Sequence, residues 1–190
     1  MNPYHYYLNL PFEIQKPSIF IEQHTVAKHE ILPFDLPEAQ VMLEFLKQHN
    51  LDCHNLEYFY TPPNGGKIFI HSDDFLDEMT KINITWGPDS GVVRWWDCPN
   101  YKTLKIELGT NNLGESDSYH EIYVAEEDES TLVHEASTNK ISMLNVGKFH
   151  STYNPGTEGR YTLCFALRQT GATTKLQWPQ AKIVFKDYLE

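Results

Sequence analysis

Cysteine is scarce in this sequence and never closely spaced: Cys53, Cys98 and Cys164 lie far apart, with no CxxC. That pattern argues against a zinc knuckle and against a secreted disulfide scaffold. Reduced thiols in a cytoplasm fit best. Positive charge is also short. Fifteen Lys and Arg stand against 26 Asp and Glu, a net charge of −11. A surface this acidic repels phosphate backbones, so nucleic acid is not an expected partner. No apolar run approaches the length of a membrane helix, so no membrane partner is expected either. The N-terminal MNPYHYYLNLPFEIQ lacks the basic head and continuous apolar centre of a signal peptide. Internal repeats, low-complexity tracts and linkers are missing too. One domain over residues 1–190 is therefore expected, long enough to bury a core.

What the chain does have is aromatic side chains, 13% of the total. These favour pleated, half-buried surfaces and lean the composition toward β structure. Residues 4–34 carry short apolar runs broken by Pro11, Pro17 and Pro33, which read as edge strands or loops. DLPE at 35–38 has the form of a capping box, with Asp35 as N-cap and Glu38 three residues on. It precedes a helical apolar face of Leu36, Ala39, Leu43 and Leu46, with Asn50 as its stop. After Leu51 the period changes to two. Strands are expected at 56–60, 67–71, 81–86, 92–98, 103–108, 120–125, 130–135, 141–147, 148–153 and 160–168. Turn sequences such as PPNGG, GPDSG and NPGTEG separate most of them. Ten short strands after one helix suggest a mainly β barrel or jelly roll, with helical packing on an outer face. The core would span 56–170, with N-terminal strands and helix at 1–55 and an extension at 171–190. WPQAKIVFKDYL near the end suits a strand or a short helix equally.

Chemistry concentrates in two stretches. KIFIHSDD, 67–74, ends a strand in a histidine and two aspartates. Residues i and i+2 of a strand project from one face, so His71 and Asp73 can share a metal ion. An aspartate-capped turn would use the same residues. The second stretch, GKFHSTYNPGTEGRYTLCFALR, places His150 in a strand and Arg160 at the start of the next. Along that strand Arg160, Thr162, Cys164 and Ala166 share one face; Tyr161, Leu163, Phe165 and Leu167 share the other. An arginine facing a narrow cavity needs an anion, although a strand's first residue is often a surface one. Two histidines and a carboxylate form the facial triad of non-haem iron oxygenases, which leaves positions open. A bidentate 2-oxo acid filling them needs a cation at its far carboxylate, and arginine is the planar binder of carboxylates.

The order H-x-D (His71, Asp73), distal histidine (His150), then arginine with a hydroxyl two residues on (Arg160, Thr162) resembles the double-stranded β-helix dioxygenases. These depend on Fe(II) and 2-oxoglutarate. IHSDDFLDEMTKINITWGPDSGVVRWWDC and SMLNVGKFHSTYNPGTEGRYTLCF are similar to short bacterial and phage proteins of that superfamily. The resemblance covers about a third of the chain. It implies a cupin-like double-stranded β-helix in which His71, Asp73 and His150 hold Fe(II). Arg160 and Thr162 would bind the far carboxylate of 2-oxoglutarate. Asn83, which alternates with Thr85 along its strand, would donate to the same molecule or serve as a satisfied buried amide. It also implies hydroxylation of a small-molecule or peptidyl substrate, with release of succinate and CO2. A catalytically silent cupin-like binding module is the competing expectation. Asn145 would support His150 or shape a turn, and one of Trp95 and Trp96 would line the pocket. His134 and His120, beside glutamates, are expected at loops or strand ends. His5, His24, His29, His49 and His54 show no ligand-like spacing.

Overall fold

The computed structural model describes residues 2–20, 25–73, 78–106 and 120–190; of Ile106 and His120 it describes the backbone alone. The strands come in chain order as β1 (His5–Tyr7), β2 (Lys28–Leu32), β3 (Leu51–Thr61), β4 (Gly66–Ser72), β5 (Thr80–Trp86) and β6 (Val92–Asp97). They continue as β7 (Lys102–Ile106), β8 (His120–Ala125), β9 (Thr131–Ser137), β10 (Ser142–Asn145), β11 (His150–Asn154) and β12 (Arg160–Gln169). Among the described residues there are two α-helices, α1 (Gln40–Gln48) between β2 and β3, and α2 (Trp178–Val184) after β12. The C-terminal segment left open between strand and helix is therefore helical over most of its length.

The strands form two antiparallel sheets of six. One runs β1-β10-β5-β12-β3-β2, the other β7-β8-β4-β11-β6-β9. From β3 onward the chain passes repeatedly between the sheets, the winding of a jelly roll. The proline-broken N-terminal runs supply β1 and β2, and these are the two edges of the first sheet. Asn64 and Gly65 take φ of 57° and 91° to reverse the chain between β3 and β4, which is why that turn reads NGG. Residues 107 and 108 of the expected 103–108 strand lie outside the described residues.

β12 lies inside the first sheet and is buried almost throughout. Its large apolar residues Leu163, Phe165 and Leu167 join Met42, Phe45 and Leu46 of α1 and Trp178 and Phe185 of the C-terminal segment in one buried cluster. Ala166, on the other face, meets Val93 and Trp95 of the second sheet. The space between the sheets therefore begins at the small-residue face of β12.

The capping box does not form. Pro37–Ala39 make one 3-10 turn after Leu36, with no side-chain cap, and the α-helix starts only at Gln40. The Glu38 carboxylate accepts from the Ser18 backbone N–H (3.3 Å) instead. The Gln40 amide donates to the carbonyls of Phe34 (2.6 Å) and Leu36 (3.0 Å), binding the helix start to the chain before it. Asn50 does end the helix, in the left-handed region with φ 58°.

Candidate metal centre and anion pocket

β4 and β11 are neighbours, and His71 and His150 are register partners. Their rings stand 4.4 Å apart, centroid to centroid. The register slips by one residue between this pair and the next, Thr152 with Ile68. Bulges of this kind re-aim side chains. Asp73 follows β4 and is fixed by its own backbone: its N–H donates to the Val146 carbonyl (3.0 Å), while the Ser72 hydroxyl donates to Gly147 (2.8 Å). One ligand atom from each of His71, Asp73 and His150 lies within 4.8 Å of the others. The third side chain that KIFIHSDD lacks is thus beside it.

Hydrogen bonding settles which nitrogens are available. His71 Nδ1 lies 2.9 Å from the Phe69 carbonyl, and His150 Nδ1 lies 3.0 Å from the Lys148 carbonyl. A carbonyl only accepts, so both Nδ1 atoms carry hydrogen, and in a neutral ring it is then Nε2 that presents the lone pair. His71 Nε2 then faces Asp73 Oδ1 at 3.1 Å. Two acceptors at that distance repel unless a proton or a metal ion lies between them. Burial, with the His71 ring beside it, lowers the His150 pKa to about 4, so the imidazole stays neutral and able to ligate. The donor set N, O, N, with both outer nitrogens anchored, fits a divalent metal ion.

Asp73 has a second partner that sequence reasoning passed over. Its Oδ2 lies 2.8 Å from Lys81 Nζ, and the same ammonium lies 2.7 Å from Glu57 Oε2. Lys81 and Glu57 side chains are each 8% exposed. Burial works against the Asp73 carboxylate, but Lys81 and His71 outweigh it and hold its pKa well below the ordinary value. For Lys81 burial is likewise opposed, by Asp73 and Glu57, which hold the ammonium charged. Strand alternation was the missed signal, because Lys81, Asn83 and Thr85 share one face of β5.

Arg160 is 2% exposed, not a surface residue. It donates to the hydroxyls of Thr162 (3.1 Å) and Thr138, with Thr85 at 3.5 Å. Among the described residues its Nε–H has no partner, and no carboxylate lies within ion-pair reach. Burial lowers its pKa to about 10, still far above neutrality. A Cβ at Gly91 would lie 2.8 Å from Arg160 Cδ, so glycine there makes room for the side chain. Thr138 comes from just beyond β9 and had no signal in the sequence. Asn83 pairs with Cys164 across the sheet, and its buried amide oxygen has no partner among the described residues.

The remaining candidates divide. Trp95 is buried in the cluster between the sheets, whereas Trp96 packs with Ile70 and Phe149 and donates to Ser151 (2.8 Å). Asn145 does not support His150; its amide donates to the Pro3 carbonyl (3.1 Å), and Lys148 holds His150 in its place. His134 stacks on Tyr4 and lies 3.0 Å from His5, a pairing that spacing did not reveal. The His120 side chain and His24 lie outside the described residues.

No family model and no curated sequence matches the chain. Among solved structures it is similar to EvdMO1, at 13% identity and a TM-score of 0.46 over 80% of this chain and 38% of that one. It is similar to the non-heme monooxygenase ThoJ at 13% identity and a TM-score of 0.37, over 77% of this chain and 64% of that one. A third is EvdO2 from Micromonospora carbonacea var. aurantiaca complexed with 2-oxoglutarate, at 9% identity and a TM-score of 0.35, over 82% and 72%. The chain spans less than two thirds of the first two. Likenesses this distant say nothing about chemistry, which rests on the geometry above.

Proposed function

We propose that the protein is a non-haem Fe(II)- and 2-oxoglutarate-dependent oxygenase that hydroxylates a small molecule or a peptidyl side chain. One observation carries the reading: a ligand atom of each of His71, Asp73 and His150 lies within 4.8 Å of the others, with both Nδ1 atoms turned to backbone carbonyls and the Nε2 atoms left for a metal ion. His71, Asp73 and His150 would hold the iron. Bound there, iron supplies the activation of dioxygen and the oxidative decarboxylation of the 2-oxo acid. The chain's own residues do the rest. The carbonyls of Phe69 and Lys148 fix the two imidazoles in the ligating tautomer. Arg160, with Thr162, Thr85 and Thr138 around it, would bind the far carboxylate of 2-oxoglutarate. Asn83 would bind nearer the metal.

A second reading draws on a different observation. Lys81 already gives Asp73 a cation at 2.8 Å, so a silent binding module could keep the carboxylate without a metal. Anaerobic addition of Fe(II) and 2-oxoglutarate separates the two. The oxygenase reading expects a weak visible charge-transfer band that disappears in Arg160→Ala, and succinate release over a panel of amino acids, peptides and metabolites. Absence of both the band and succinate would leave the silent module.

A further inference from the structure

We propose that Lys81 is a positioning residue for the metal centre: it holds Asp73 by one oxygen so that only the other faces the ion. This rests on reading His71, Asp73 and His150 as ligands. Asp73 Oδ1 points at His71 Nε2 (3.1 Å), the side on which the ligand atoms gather, while Oδ2 is engaged by Lys81 Nζ (2.8 Å). A carboxylate pinned in this way offers one oxygen and leaves a neighbouring coordination position free.

The lysine is itself fixed. Lys81 lies on β5 and Glu57 on β3, the two strands that flank β12, and Glu57 takes Nζ at 2.7 Å. Burying such a pair costs desolvation that apolar residues would avoid, so the pair is a poor device for stability alone. Its geometry gives it another use. An ammonium beside a ligand repels an incoming dication; Glu57 cancels that charge and leaves the directional hydrogen bond to Asp73. The two effects of Lys81 on metal affinity therefore have opposite signs. As a bare charge it weakens metal binding, and as an orienting donor it strengthens it.

The test is Co(II) titration of chelator-treated protein by calorimetry, with the visible absorption of the bound ion recorded. Lys81→Met alone leaves Glu57 buried and unpaired, a change that risks the fold. Lys81→Met/Glu57→Gln removes both charges together and keeps the local net charge. For the double variant we expect Co(II) binding weaker by about 10–100-fold, the usual effect of losing a partner of a metal ligand, with an altered absorption band. Unchanged or tighter binding by the double variant, with the band of the wild type, would overturn the proposal. Failure of the wild type to take up Co(II) would instead end the reading of the centre itself, and this inference with it.

Discussion

At the residue scale, Arg160 is a buried cation surrounded by hydroxyls and, among the described residues, by no carboxylate. An uncompensated charge in that position destabilises the fold it sits in. Arg160→Met should therefore raise the melting temperature of the ligand-free protein while removing its response to 2-oxoglutarate, both read by thermal denaturation. Arg160→Ala should weaken 2-oxoglutarate by about 10–100-fold, the loss of one or two charge-assisted hydrogen bonds. His150 gives a pH prediction. Burial holds its pKa near 4 in the fold, against an ordinary 6.5. Between those values the unfolded chain binds a proton that the folded histidine refuses. Stability of the metal-free protein should be full above pH 6.5 and fall as pH drops toward 4. His5, whose pKa burial also lowers to about 4, acts in the same direction. Urea midpoints across that window measure the slope, and His150→Gln should flatten it.

At the scale of elements, β12 joins the two halves of the architecture. Its large residues meet the helices and its small ones face the second sheet. Phe165, fully buried, should cost about 3–5 kcal/mol on replacement by alanine in a denaturant titration. The helix start predicts the opposite. A capping aspartate is worth about 1 kcal/mol where it caps, but the turn before α1 has no side-chain cap and Asp35 is exposed. Asp35→Ala should leave stability within about 0.5 kcal/mol of wild type. Local sequence misled here because Glu38 and Gln40 are used by Ser18 and by carbonyls upstream, contacts that a four-residue pattern does not contain.

For the molecule as a whole, the candidate centre joins β4 to β11, and those strands bring distant segments of chain together. A ligand that binds only the folded state adds stability by mass action. A divalent ion at 100 times its dissociation constant should add about 2.7 kcal/mol. For a protein of this size that is a rise in melting temperature of about 5–10 °C. Chelation should reverse it, and His150→Ala should show no rise. Among the described residues no helix is long and apolar enough to cross a membrane.

The sequence by itself located most of the strands and their faces, although β3 starts at Leu51 rather than 56 and β11 at His150 rather than 148. Period-two alternation and turn residues are local, so β12 could be divided into a bulky and a small face from its letters alone, and H-x-D could be placed at a strand end. Only the tertiary structure decided what met what. His150 lies 77 residues beyond Asp73 by the numbering; strand pairing, a property of the whole sheet, put a ligand atom of each within 4.8 Å of the other. The same holds for Thr138 beside Arg160, for His5 beside His134, and for Lys81 between Asp73 and Glu57. Each is a contact between different elements of the fold, and the free energy that selects it comes from burying the sheets against each other. No short run of residues carries that information.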